Sequence, residues 1–340
     1  MSNQTGIVAT VLLGPGSEAT VGDAIKSCTH QVDAFLFIES GGGGNAAETA
    51  LTAVEGTGKA VHLRHMAWPN DYGKAREHCL ELARDLGYEW AVTLDPDERL
   101  HICGLRDALA SDPECDVWVA TFQGPDGYHK PRAIRLTNPE IHWWGLAHEE
   151  LHAPQYQRAL SGHFDELEKT PADFLERARR GVETMAKMTE LEPKKARWWR
   201  HMGECYLSLQ KPEKALEAFS TMAEVATNRL EQGWAEYRVI YLGIATGKYW
   251  TDTARGFVAT SILMFPEFLR EFGWLACHLA QLRGEWDQAA DWARIVLATP
   301  IPRSRLCGHQ CPAAIQGCKD WLAQYDRVLK EALEKRKGST

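Results

Sequence analysis

In the first part of the chain, short apolar runs alternate with longer stretches whose apolar positions recur every three or four residues. The runs Gly6 to Leu13, Val32 to Ile38, Val61 to Met66 and Trp90 to Leu94 read as strands. The fourth is apolar or β-branched throughout, as a strand covered on both faces must be. The first and the second, the latter carrying only Asp33 as a charge, read as buried too. Between the runs, Ala19 to Cys28, Asn45 to Val54 and Tyr72 to Leu86 read as helices. In the last of these, Tyr72, Ala75, Cys79, Leu82, Ala83 and Leu86 make one apolar stripe, with Asn70 or Asp71 as cap and Gly87 as stop. Strand–helix–strand alternation at this spacing predicts a parallel sheet covered by helices. Leu105 to Ala110 then forms a short helix. Val117 to Phe122 and Ala133 to Leu136 form strands joined by a polar turn at Gly124 to Gly127.

The pattern changes in the second half, where few strand-like runs remain and the helical period dominates. Trp199, Met202, Gly203 and Tyr206, followed by Ala215 and Phe219, approach the tetratricopeptide spacing. Degenerate copies align Leu242, Ala245, Ala254 and Val258, then Cys277, Ala280, Ala289 and Ala293. The offsets from Ala215 to Ala254 and from Ala254 to Ala289 are 39 and 35 residues, near the repeat length of about 34. Ala172 to Leu191 supplies a leading helix and Lys319 to Lys335 a closing one. The expected organisation is therefore an α/β domain over residues 1–160 and an all-α, tetratricopeptide-like helical repeat domain over 161–340. Such repeats stack with a concave face suited to a polypeptide acceptor or to homodimerisation, though a purely covering role accounts for them equally well.

Candidate chemistry gathers where the predicted strands end. Asp95 and Asp97 flank Pro96 just beyond the fourth strand. Two positions apart in extended chain, they point to one side, and hard carboxylate oxygens there suit Mg²⁺ or Mn²⁺. Glu39 and Asp71 also fall at or near strand ends, where open α/β sheets bind ligands. Trp143 and Trp144 precede Gly145 and the cluster His148, Glu149 and Glu150. A pair of aspartates alone is a weak signal, since a solvated loop after a strand explains it as well. Gly41 to Gly44 lacks the sequence of a phosphate loop and reads as a turn.

Taken together, these pieces resemble the family-2 glycosyltransferases of GT-A fold, in particular the small kind fused to tetratricopeptide repeats. Bacterial peptide S-glycosyltransferases and lipopolysaccharide-core glycosyltransferases are of this kind. The resemblance runs through Phe37-Ile38-Glu39-Ser40-Gly41, Trp68-Pro69-Asn70-Asp71-Tyr72-Gly73-Lys74-Ala75-Arg76, Leu94-Asp95-Pro96-Asp97-Glu98 and Gly145-Leu146-Ala147-His148-Glu149. It implies an inverting, Mn²⁺- or Mg²⁺-dependent hexosyltransferase that uses a nucleotide-diphosphate sugar, a UDP-sugar first, on a peptide, protein or glycan acceptor. It places Asp97 on the metal, with Asp95 and His148 as further ligands. Glu39, Asp71, Arg76 and Asp95 fall to the donor, and Glu149 to the general base, with Glu150 as substitute and His148 alongside. Three positions depart from the family pattern: Glu39 stands for Asp, Glu77 follows Arg76 where Asn is usual, and Gly14-Pro15-Gly16 replaces Lys-Asn-Glu. A non-catalytic repeat scaffold with a degenerate transferase domain is the alternative those departures suggest, and a nucleotidyltransferase is another.

Composition narrows the partners. The 340 residues carry a formal charge of −8, which gives no general attraction to nucleic acid, so glycosylation of a hydroxylated nucleic-acid base is the least supported acceptor class. No apolar run is long enough for a membrane span, and the polar start Met1 to Thr5 lacks a signal-peptide pattern. Nine scattered cysteines read as reduced thiols of a cytoplasmic protein. Cys307, His309, Cys311 and Cys318 lack paired zinc-ligand spacing and read as ordinary thiols and an imidazole around a loop. Lys194, Lys195, Arg197 and Arg200 read as a solvated helix face that could steer an acidic acceptor.

Overall fold

The computed structural model describes residues 6–41, 44–123, 129–146, 149–153, 157–166, 171–299 and 318–327. It divides into two compact units, Met1–Lys169 and Thr170–Thr340.

The first unit is built on an eight-stranded mixed sheet among the described residues. Strands β1 (Ile7–Leu13), β2 (Ala34–Ser40), β3 (Ala60–Met66) and β4 (Trp90–Leu94) run parallel in the spatial order β3-β2-β1-β4. Val8 of β1 pairs with Ala34 of β2, and Ile7 with Trp90 of β4. Residues β-rich and apolar at every position, such as Ala34–Ile38, are buried on both faces, because helices α1 (Val21–Cys28), α2 (Ala46–Val54) and α3 (Tyr72–Asp85) are the connections between these parallel strands. Strand β3 is the sheet's edge, and its residues are accordingly half-buried or exposed.

Beyond β4 the sheet turns antiparallel. β7 (His129–Arg135) pairs with β4 and with β6 (Val117–Phe122). β10 (Gln157–Glu166) runs parallel to β6 and antiparallel to β5 (Glu98–Ile102). A two-stranded ribbon, β8 (His142–Trp144) and β9 (Glu150–His152), stands apart. This parallel-then-antiparallel α/β arrangement is consistent with a GT-A-like domain.

Three features differ from the sequence-based expectation. β5 and β10 have no counterpart in it, because Arg99, His101, Gln157, Arg158 and Ser161 interrupt the apolar pattern of strands that are covered on one face only. The unit ends at Lys169 rather than 160 because β10 continues the sheet through Glu166. The buried stripe of α3 is rotated, running through Gly73, Ala75, Arg76, Cys79, Leu80 and Ala83. Tyr72 is exposed and lies edge-on to Trp68, with ring centroids 4.7 Å apart.

The second unit is helical. α5 (Pro171–Leu191) leads, and three antiparallel pairs follow: α6 (Ala196–Ser208) with α7 (Pro212–Val225), α8 (Arg229–Ala245) with α9 (Thr251–Met264), and α10 (Leu269–Leu282) with α11 (Trp286–Ala298). Residues 318–327 are helical as well. The three pairs coincide with the three repeat copies. Gly203 of α6 faces the Phe219 ring of α7 so closely that an added Cβ would lie 2.7 Å from ring carbons. Gly243 of α8 does the same against Tyr249. A small residue opposite an aromatic one lets α6 and α7 approach. No helix among the described residues is long and apolar enough to cross a membrane.

Candidate functional site

The site forms where β4 ends. Asp95-Pro96-Asp97-Glu98 is a tight turn in which the Glu98 N–H donates to the Asp95 carbonyl over 3.0 Å. The Asp95 N–H in turn donates to Oε2 of Glu98 over 3.0 Å. Pro96 has no N–H for a ladder, so the chain leaves the parallel sheet here and returns as β5. Three carboxylates and three cations then interlock. Arg76, on the buried stripe of α3, donates through Nη2 to Oδ1 of Asp95 at 2.7 Å and through Nε to Oε1 of Glu149. Lys130 of β7 donates to Oδ2 of Asp95, and to Oε1 of Glu98 at 2.8 Å. Arg132, also of β7 and 0% exposed, forks onto both oxygens of Glu98 at 2.6 and 2.8 Å and donates to the Thr93 carbonyl at 3.0 Å. Its guanidinium lies 4.0 Å from the centre of the Phe164 ring. Asp97 is half-buried beside this network.

The electrostatics follow from the pairing. Burial alone would raise the Asp95 carboxyl, but the cations Arg76, Lys130 and Arg132 outweigh it and hold the group well below the usual carboxylate range. Burial and Asp95 likewise push Glu98 up, and Lys130 with Arg132 bring it below its ordinary value. Arg76 is burdened by burial but is held firmly protonated by Asp95 and Glu149.

Glu149 reaches Arg76 because its segment is tied to the start of α3. The Tyr72 N–H donates to the Leu146 carbonyl and the Gly73 N–H to the Gly145 carbonyl, both over 2.9 Å. These helix N-terminal donors have no partner within the helix, and the Gly145–Leu146 carbonyls satisfy them. A Cβ on Gly73 would stand 2.8 Å from the Gly145 backbone. Gly73→Ala is therefore expected to lever this segment off α3 and cost about 1–3 kcal/mol, read as a lowered urea midpoint. An unchanged midpoint would show the contact to be dispensable. Trp143, buried, lies 5.4 Å from the Arg76 guanidinium carbon, and its N–H donates to Glu77 at 2.8 Å. Trp144 is 45% exposed. Glu77 also accepts from Arg84 at 3.2 Å, which gives the departure at this position a structural role between α3 and β8.

Other predicted positions lie elsewhere. Asp71 caps α3, accepting from the Lys74 N–H at 2.9 Å, and is 8% exposed. Glu39, at the end of β2, is 2.7 Å from Nδ1 of His65 on the neighbouring strand. Glu150 opens β9 and pairs in register with Trp144. His148 lies outside the described residues, as do Cys307, His309 and Cys311. Cys318 is a buried free thiol packed with Cys277. Lys130 and Arg132 were not foreseen. The signal in His129–Arg135 is the two-residue spacing of Lys130 and Arg132, which puts them on one side of that strand.

For a divalent cation, the donor chemistry is suitable and the preformed geometry is incomplete. Asp95, Asp97, Glu98 and Glu149 exceed Arg76, Lys130 and Arg132 by one negative charge. A negatively charged ligand added there calls for a further cation. Yet both Asp95 oxygens already accept from Arg76 and Lys130, and no three potential ligand side chains converge among the described residues.

No family model matches the sequence, and no curated protein matches it. Among solved structures, S. aureus TarS is 13% identical with a TM-score of 0.41, over 72% of this chain and 53% of that one. TarS 1–349 in complex with UDP-GlcNAc is 13% identical with a TM-score of 0.39, over 72% of this chain and 93% of that one. MamA is 15% identical with a TM-score of 0.33, over 51% of this chain and 97% of its own. Likeness at this level assigns this chain neither a family nor an activity.

Proposed function

We propose that the first unit is an inverting glycosyltransferase that takes its sugar from a nucleotide-diphosphate sugar, with UDP-sugars the first donors to try and a peptide, protein or glycan as acceptor. The observation that carries this reading is the Arg76 bridge. Three stretches far apart in sequence, each part of the glycosyltransferase resemblance, meet through one guanidinium: α3, the Asp95 turn and Glu149.

In this reading Asp95 and Arg76 orient the donor at the end of the parallel strands, where open sheets bind nucleotides. Glu149, oriented by Arg76, takes the acceptor proton as the acceptor attacks the sugar carbon. The nucleoside diphosphate departs on the opposite face, so one base suffices. Asp97, with Asp95 and His148, would hold Mn²⁺ or Mg²⁺, whose Lewis acidity would stabilise charge on the departing phosphate. In the same reading Glu39 also serves the donor, and Asp71 serves it by fixing the start of α3.

The test is donor hydrolysis: nucleotide sugars with Mn²⁺, scored for released nucleoside diphosphate. Release is expected from at least one donor, with a fall of at least about 100-fold in Asp97→Ala, in line with loss of a group that positions charge at the reaction centre. Release of pyrophosphate instead would mark a nucleotidyltransferase. Absence of release from every donor would favour the scaffold reading, for which the closed pairing of Asp95 with Arg76 and Lys130 is the specific support.

A further inference from the structure

Two cysteines 41 residues apart in sequence meet in the second unit, and nothing in the transfer chemistry uses them. Cys277 of α10 and Cys318, the first residue of the last described helix (residues 318–327), are 1% and 2% exposed. They share one apolar cluster with Ala280, Ala289, Ala293 and Val296. The Cys318 thiol donates to the Cys277 sulfur, which also accepts from Nε2 of Gln281 at 3.2 Å. Two donors onto one sulfur favour negative charge there. The bond from Cys318 holds the Cys277 thiol below its ordinary value against burial, and Gln281 adds to it. Giving that bond, together with burial, pushes Cys318 up. The two thiols therefore differ in role: one is disposed to lose its proton and the other to keep it.

A cation stands beside the pair. Arg270 lies seven residues before Cys277 on α10, so the two side chains leave the same face of the helix. Its charge acts on Cys318. Arg270 is 6% exposed, and its Nε and Nη1 find no acceptor among the described residues. Buried donors left unused are costly on their own account. Beside thiols, a guanidinium favours the thiolate, which is the reactive form. The cover over the pair is thin. Within residues 318–327 only Cys318 is buried, whereas Trp321, Leu322 and Tyr325 are half-buried and the rest exposed. Little apolar contact therefore opposes the lifting of this helix, which would admit a small oxidant.

We propose that Cys277 and Cys318 are a reversible dithiol that hydrogen peroxide oxidises to an intramolecular disulfide. The Cys277 thiolate attacks one peroxide oxygen, the O–O bond breaks, and Cys277 becomes a sulfenic acid. The departing hydroxide, formed near the charge of Arg270, takes up the proton that Cys277 shed and leaves as water. The Cys318 sulfur then attacks the sulfenic sulfur. The S–S bond forms, the S–O bond breaks, and the hydroxyl leaves with the Cys318 proton as a second water. Two thiols thus lose two electrons and two protons, and one peroxide becomes two waters. The disulfide ties the last described helix to α10 across a long loop, the case in which a cross-link restricts the unfolded chain most.

The test uses the full chain and needs no transferase activity. The protein is reduced, freed of reductant and treated with hydrogen peroxide. Remaining thiols are alkylated, and the digested chain is mapped by mass spectrometry. A monomer with Cys277 joined to Cys318 is expected, with a melting temperature raised by about 5 °C, and dithiothreitol should reverse both changes. In Cys318→Ala the reaction should stop at a sulfenic acid on Cys277, trapped by dimedone. In Cys277→Ala dimedone should find none on Cys318. Arg270→Gln should slow the linkage about tenfold, the effect of moving a thiol pKa by about one unit. Arg270→Lys, which keeps the charge, should restore most of the rate. Circular dichroism establishes that the variants fold, and mapping of the unaltered chain depends on none of them. Absence of the linkage while the chain stays folded, joining of either cysteine chiefly to another one, or dimedone adducts on Cys318 in place of Cys277 would overturn the proposal.

Discussion

Arg132→Met is expected to destabilise the sheet unit by about 3–5 kcal/mol, the usual cost of stranding one partner of a buried ion pair. Arg132 is wholly buried and Glu98 is 1% exposed. Once the fork is gone, the buried carboxylate keeps only Lys130 as a cation and the Asp95 N–H as a backbone donor among the described contacts. A second effect compounds the first: the Thr93 carbonyl loses its side-chain donor and Phe164 loses the cation over its ring. Urea unfolding at neutral pH measures the loss. The double variant Glu98→Leu with Arg132→Met should cost less than Arg132→Met alone, because it removes the stranded charge together with its partner.

The pH dependence has a fixed sign. Glu98 is held below its ordinary value in the folded chain, so its pairing stabilises fully above the unfolded carboxyl value of about 4.3. That contribution is lost as pH falls through the folded value. The gap between wild type and Arg132→Met should therefore narrow below about pH 4. A gap under about 1 kcal/mol at pH 7, or one that widens in acid, would contradict this account of the Arg132–Glu98 pair.

Arg76→Met should lower nucleoside-diphosphate release by about 100-fold or more, the scale set by misplacing reacting groups by about an ångström. Arg76 is the one side chain joined to both Asp95 and Glu149 among the described ion pairs. Without it, Asp95, proposed to orient the donor, and the proposed base Glu149 lose the cation that joins them. Arg76→Lys should fall in between, since an ammonium lacks the planar fork that serves two carboxylates at once. Steady-state release rates check this, with melting curves to show that the variants fold. Wild-type release in folded Arg76→Met would detach Glu149 from the chemistry and leave the bridge as a packing device.

Much of this architecture is written in local pattern. Parallel strands such as Ala34–Ile38 must be apolar at every position, so they stand out in sequence. The repeat pairs are equally plain, because Gly203 opposite Phe219 is both a motif and a contact. Asp95, Arg76 and Glu149 were legible as motif residues. Their joining was not, since it depends on which face of α3 turns inward, and Arg76 sits on a buried stripe that apolarity alone placed elsewhere.

Local sequence thus determined the parallel strands and the helices between them, the repeat spacing and the acids at the end of β4, because each rests on neighbours within a few residues. Tertiary structure alone decided that Lys130 and Arg132, from a strand with no motif of its own, complete the ion network. It also decided that the Arg238 guanidinium lies over the rings of Trp234 and of Phe219 from a neighbouring helix. Both outcomes depend on groups brought together from distant positions, and the energy of a buried charge is set by what surrounds it in space.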